Sequence, residues 1–119
     1  MLQCLLVLCM AIMASFTVRS SEPTLVVVTI RESLDPVQRG KKYEDPLEIA
    51  LAKAKVGEIS GGGTLFSKSR TIEAIQIDVD LTDLKKGIPL LKRELIRLGA
   101  PKGTTIEYEY NGKEIHERL

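Results

Sequence analysis

The sequence predicts a single α+β domain with the element order β-α-β-β-α-β, set behind an apolar leader. Three observations carry that expectation. Thr24–Ile30 (TLVVVTI) is a run of β-branched residues. Ile75, Ile77, Val79 and Leu81 alternate strictly with Gln76, Asp78 and Asp80, the period of a strand with one buried face. Leu84, Ile88, Leu91, Leu95 and Leu98 recur at alternating spacings of four and three, the period of an amphipathic helix.

In chain order, Ser20-Ser21-Glu22-Pro23 reads as a short linker, and the strand Thr24–Ile30 follows it. Ser33 to Glu44 reads as a long polar loop containing Pro36 and Gly40. Asp45-Pro46-Leu47-Glu48 then opens a helix: Asp45 suits the N-cap, Pro46 the first helical position, and Glu48 completes a capping box. Leu47, Ala50, Leu51 and Ala54 form its apolar stripe, and Gly57 is a natural stop. Glu58–Phe66 is a weaker strand interrupted by Gly61-Gly62-Gly63. Ser67–Arg70 is a turn, and Thr71–Leu81 is the clearest strand. Thr82 is placed to cap the second helix, whose regular part is expected near Ile88 because Gly87 and Pro89 disturb its first turns. Gly99-Ala100-Pro101 ends it. Thr104–Tyr110 is the last strand of the core pattern. Asn111-Gly112 is a hairpin signal, so Lys113–Glu117 is an optional fifth strand.

This order resembles the ferredoxin-like sandwich: a four-stranded antiparallel sheet with two helices on one face, here with a C-terminal hairpin extension. The resemblance covers residues 24–110 and rests on element order alone. That fold hosts many activities, so it does not select one.

The leader separates two compositions. Met1 to Val18 has no charged side chain, and its apolar centre, Leu5 to Ala14, is too short to span a bilayer but suits a signal peptide. Residues 1–20 therefore read as a signal peptide or apolar leader, cut after Ser20, and residues 21–119 as the single domain. That places the protein outside the cytoplasm, secreted or periplasmic. The alternative is a misassigned start at Met10 or Met13 and a cytoplasmic protein. Cys4 and Cys9 both fall in the leader, so the domain itself has neither a disulfide nor a thiol nucleophile. The whole chain of 119 residues carries a formal charge of +1, with no Trp and one His. That balance argues against a basic nucleic-acid arm, a zinc finger and a His-rich metal site.

Strand alternation divides the sheet faces. Val26, Val28 and Ile30 should meet the helices, leaving Leu25, Val27, Thr29 and Arg31 outward. Gln76, Asp78 and Asp80 should share that outer face with Glu107 and Glu109. An apolar stripe of Leu25 and Val27 between carboxylates suits a protein contact and repels nucleic acid. Gly61, Gly62 and Gly63 mark either a bulge or a close backbone approach to a ligand or partner. Arg39, Lys41 and Lys42 are cations expected in the long loop, available to an anion or acidic partner. Tyr43 beside them suits either the core or a partner. Asp78, Asp80 and Asp83 do not form a calcium loop, which needs further oxygen ligands and a turn glycine. His116 reads as a surface residue without a nucleophile beside it.

The functional expectation is a small non-catalytic interaction module, such as an inhibitor or a regulatory subunit. It would bind a protein partner, or a second copy of itself, through the open sheet face and the loops holding Arg39–Lys42 and Gly61–Gly63. The alternative is a regulatory domain for a small ligand; a small dimeric enzyme is third. No cofactor, metal, nucleic acid or membrane contact is expected of the mature domain.

Overall fold

A computed structural model describes residues 22–119. The leader, its two cysteines and its cleavage position lie outside the described residues. The domain is α+β, with a five-stranded antiparallel sheet. Its strands are β1 (Thr24–Ile30), β2 (Gly57–Phe66), β3 (Ile72–Leu81), β4 (Thr105–Tyr110) and β5 (Lys113–Arg118). They lie in the order β2-β3-β1-β4-β5. The optional hairpin is a full member of the sheet. Asn111 and Gly112 both take positive φ, 52° and 76°, the requirement of a tight two-residue hairpin turn.

The segment between β1 and β2 differs from its expected form. Ser33 to Glu44 is largely helical rather than a loop. Asp35, not Asp45, starts the helix: its side chain accepts from the Gln38 backbone N–H at 2.8 Å, and the Gln38 side chain accepts from the Asp35 N–H at 3.0 Å. Pro36 occupies the first turn of α1 (Pro36–Arg39). The chain passes through a π-helical turn, Gly40–Glu44, into α2 (Asp45–Ala54). Two Asp-Pro signals compete here, and the first one wins. Pro46 then falls inside a helical run, where its missing N–H would interrupt the ladder. The wider turn just before it, with the Asp45 N–H on the Gly40 carbonyl, accommodates that interruption.

The end of α2 is also displaced from Gly57. Lys55 takes the left-handed conformation at φ 57°, and Gly57 begins β2 instead. A Cβ at Gly57 would stand 2.2 Å from the Asp80 carbonyl oxygen, so this glycine permits strand contact rather than helix termination.

The helix α3 (Leu84–Arg97) is continuous from Leu84 and is capped by Asp83, not Thr82. The Asp83 carboxylate accepts from the Lys86 N–H at 3.0 Å. Pro89 is carried within the helix and exposed at its surface. Gly87 has a packing role: a Cβ there would press on the Leu81 side chain at 2.8 Å. The residue that looks like a helix breaker is what lets α3 lie close on the end of β3.

One core holds these layers together. Val26, Val28 and Ile30 of β1, Ile75, Ile77, Val79 and Leu81 of β3, and Ile106 of β4 are buried. They share a cluster with Tyr43, Leu47 and Leu51 and with Ile88, Leu91 and Leu95 from α3. Each such side chain contributes about 1.5–3 kcal/mol relative to exposure. The helical layer therefore covers the face to which these strand residues point. The alternate residues form the other face, which no element covers among the described residues.

Candidate functional site

The uncovered face is assembled by register. Val27 stands opposite Asp78 on one side and Glu107 on the other. Leu25 pairs with Asp80, and Asp80 in turn with Glu58 of β2. Glu107 pairs with His116 of β5, and Glu109 with Glu114. A row of carboxylates thus flanks a small apolar strip on both sides. Leu25 is 52% exposed, a large value for an aliphatic residue in a central strand, which confirms that it points away from the core.

A groove of ≈ 350 Å³ runs along this face over β1, β4 and β5. Leu25, Val27 and Ile115 give it apolar surface, and Glu107, Glu109, Glu114 and His116 give it polar surface. The His116 ring lies between two carboxylates, with Nδ1 at 3.6 Å from Glu107 and Nε2 at 3.8 Å from Glu114. Arg31, just past the far end of β1, faces Glu73 at 3.6 Å, both well exposed. Such an exposed pair contributes little to stability and leaves the guanidinium accessible. Glu109 opposite Glu114 places like charges directly across two strands, a small cost the fold tolerates.

The second constellation joins two features that the sequence keeps apart. Arg39 leaves α1 and reaches β2 at the glycine run. Its Nε donates to Glu44 at 3.0 Å, and its NH1 donates to the Gly63 carbonyl at 3.0 Å. The Arg39 side chain is only 13% exposed and that of Glu44 21%. This guanidinium is therefore paired internally, where the sequence places it in a loop open to an anion or an acidic partner. Lys42 is likewise paired, with Glu32. Lys41 alone of the three projects without a carboxylate partner among the described residues.

The glycines differ in purpose. β2 runs through them as one strand, with a register shift between Ile59 and Gly61 that leaves Ser60 as the extra residue. Gly62 faces the helical layer. A Cβ there would stand 2.7 Å from Glu44 Oε2 and 3.2 Å from Arg39 Cζ. Gly62 is thus the opening through which the Arg39–Glu44 pair lies on the strand. Gly61 and Gly63 belong to the outer face, opposite Asp78 and Gln76.

Two tyrosines anchor the helical layer. Tyr43 is fully buried and donates its hydroxyl to Glu32 at 2.5 Å, which settles its place in the core. Burial and the Glu32 carboxylate both push that phenol far above its ordinary range. Tyr108 donates to Glu117 at 2.6 Å, while Lys92 of α3 pairs with the other oxygen of the same carboxylate. The Tyr108 phenol is pushed up to about 12, first by this hydrogen bond and then by burial. The hydrogen bonds from Lys92 and Tyr108 hold Glu117 below the usual carboxylate range. At Glu32 burial acts upward, but the bonds from Lys42 and Tyr43 outweigh it and hold that carboxyl low.

Among the described residues, no group of three or more His, Cys, Asp or Glu is placed to hold a metal ion. No described helix is long and apolar enough to cross a membrane. Glu32 and Glu44, which neutralise the expected loop cations, were not legible as partners. The turn at Asn111-Gly112 was legible, and the hairpin it closes sets Glu109 opposite Glu114. A scan against protein-family models finds no match, and neither do searches of curated proteins and of solved structures.

Proposed function

We propose that the domain is a non-catalytic interaction module that binds a cationic, extended segment of a protein partner across its open sheet face. The observation that carries this is the pairing of an apolar strip, exposed Leu25 and half-buried Val27, with Glu58, Asp78, Asp80, Glu107, Glu109 and Glu114 around it. Lysine or arginine stems would cover the aliphatic strip while their heads meet the carboxylates. Complementary charge of this kind chiefly supplies specificity and association rate. The same charges argue against a second copy docking face to face, since that would bring carboxylates against carboxylates. We further infer that the sheet is the ferredoxin-like arrangement extended by β5, an order that leaves β1 and β3 central and their outer residues accessible. The leader is proposed as a secretory signal, with a mature N-terminus after Ser20 that intact mass would check.

The test is calorimetric titration with an alternating Lys–Leu peptide and its Glu–Leu counterpart. The Lys–Leu peptide should bind, more weakly as salt rises, and Asp78→Lys with Glu107→Lys should abolish it. Equal binding of both peptides, or an unaffected double variant, would remove this proposal. A small-ligand role has one observation in its favour, the groove of ≈ 350 Å³ with acidic walls. A rise in melting temperature with a small polyamine, absent with the Lys–Leu peptide, would favour it.

A further inference from the structure

We propose that β5 is a self-complementary edge to which a second copy of this chain adds its own β5, antiparallel and centred on Ile115, to form one continuous sheet across two molecules. This goes beyond the open-face reading and does not depend on it.

The two edges of the sheet differ. At one edge, β2 carries two register shifts and has the Arg39 guanidinium on its Gly63 carbonyl. At the other, β5 pairs with β4 without a shift from Lys113 to Arg118, and no strand lies beyond it among the described residues. Its backbone groups alternate in direction. The two-residue turn makes Tyr110 and Lys113 a hydrogen-bonded pair, and at the far end the Leu119 N–H donates to the Thr104 carbonyl at 3.3 Å in the same phase. Lys113, Ile115 and Glu117 therefore direct their N–H and C=O groups to β4, whereas those of Glu114, His116 and Arg118 point outward. Such an edge is a template for another strand.

Charge on an edge ordinarily deters pairing. Here the charges select one register. A two-fold axis through the sheet keeps each face on its own side, so the pairing centres on a residue rather than between two. Centred on Lys113, Glu114, Glu117 or Arg118, it sets a charge against its own copy, which is destabilising. Centred on His116, it sets Ile115 against Glu117. Centred on Ile115, it sets Lys113 against the partner's Glu117, Glu114 against the partner's His116, and Ile115 against the partner's Ile115. Read from either end, Lys113-Glu114-Ile115-His116-Glu117 complements itself. In that register Glu114 and His116 exchange their outward backbone bonds across the axis, and the half-buried Ile115 gains an apolar neighbour.

Sedimentation velocity over a concentration series should show a monomer–dimer equilibrium. His116→Pro removes one outward N–H without touching the β4 ladder; it should keep the monomer's amide spectrum and abolish the dimer. Lys113→Glu should weaken association about three- to tenfold. Arg118→Glu, which lies opposite Gly112 in this register, should leave it unchanged. In dimers mixed from labelled and unlabelled protein, filtered NOEs should join the Ile115 methyls of the two copies. A protein that stays monomeric at every concentration, a dimer indifferent to His116→Pro or to Lys113→Glu, or one weakened by Arg118→Glu instead, would overturn the pairing. Should His116→Pro unfold, the contrast between Lys113→Glu and Arg118→Glu decides the question alone.

Discussion

Gly62 and Gly63 are adjacent, chemically identical, and expected to respond oppositely to the same change. Gly62→Ala forces a methyl against Glu44 Oε2 at 2.7 Å and the Gln76 carbonyl at 3.1 Å. It should destabilise the domain by about 1–3 kcal/mol. Gly63→Ala meets open space and should be neutral or stabilising by up to about 1 kcal/mol, through the unfolded chain. Urea denaturation of the two variants checks this. Glu117 makes a second residue-scale case. Its folded carboxyl lies below the ordinary value, so its contribution is complete above the unfolded pKa and is lost as pH falls through the folded one. Stability of the wild-type protein should decline on acidification below about pH 4.5, and Glu117→Gln should flatten that decline. Tyr108 has the opposite sign: its contribution is full below about pH 10 and is lost as pH rises through about 12. A spectrophotometric titration should show a tyrosinate component near pH 12 that Tyr108→Phe removes, while the raised Tyr43 phenol stays un-ionised to still higher pH.

At the scale of elements, α1 and the π-turn act as a strap on the edge strand β2. An exposed edge invites pairing with another chain, and covering it with a helix is one protection against that. Here Arg39 occupies the Gly63 carbonyl, and two register shifts further interrupt the strand. Arg39→Ala would leave Glu44 half-buried without its cation and that carbonyl without its donor. The expected cost is about 1–3 kcal/mol, with new concentration-dependent self-association by light scattering. Unchanged stability would show that the strap is not structural. Much of this element plan was legible in the sequence, and the misses have physical causes. Strand β3 announced itself because its buried residues keep a strict period, and β1 because it is a run of β-branched residues. The Asn-Gly turn marked the β4–β5 hairpin. The Ser33–Glu44 segment was misread because two proline-containing caps compete, and no local pattern signals a π-turn that resolves them. Gly87 looked like a breaker because its reason, contact with Leu81, is tertiary. The open-face residues were legible from alternation; the internal pairing of Arg39 and Lys42 was not, since Glu44 and Glu32 meet them only in the folded chain.

On the scale of the whole molecule, a formal charge of +1 conceals a separation. The helix α3 carries Lys85, Lys86, Lys92, Arg93 and Arg97 against Glu94. The outer sheet face is dominated by carboxylates. Partners of opposite charge should therefore approach opposite sides, and raised ionic strength should weaken both approaches. The most direct measurement is an amide-signal map of the Lys–Leu peptide on the protein. Shifts should cluster on Leu25, Val27, Asp78, Asp80 and Glu107 while the signals of α3 stay in place. Shifts confined to the helical layer, or none at saturating peptide, would contradict an acidic sheet face as the binding surface.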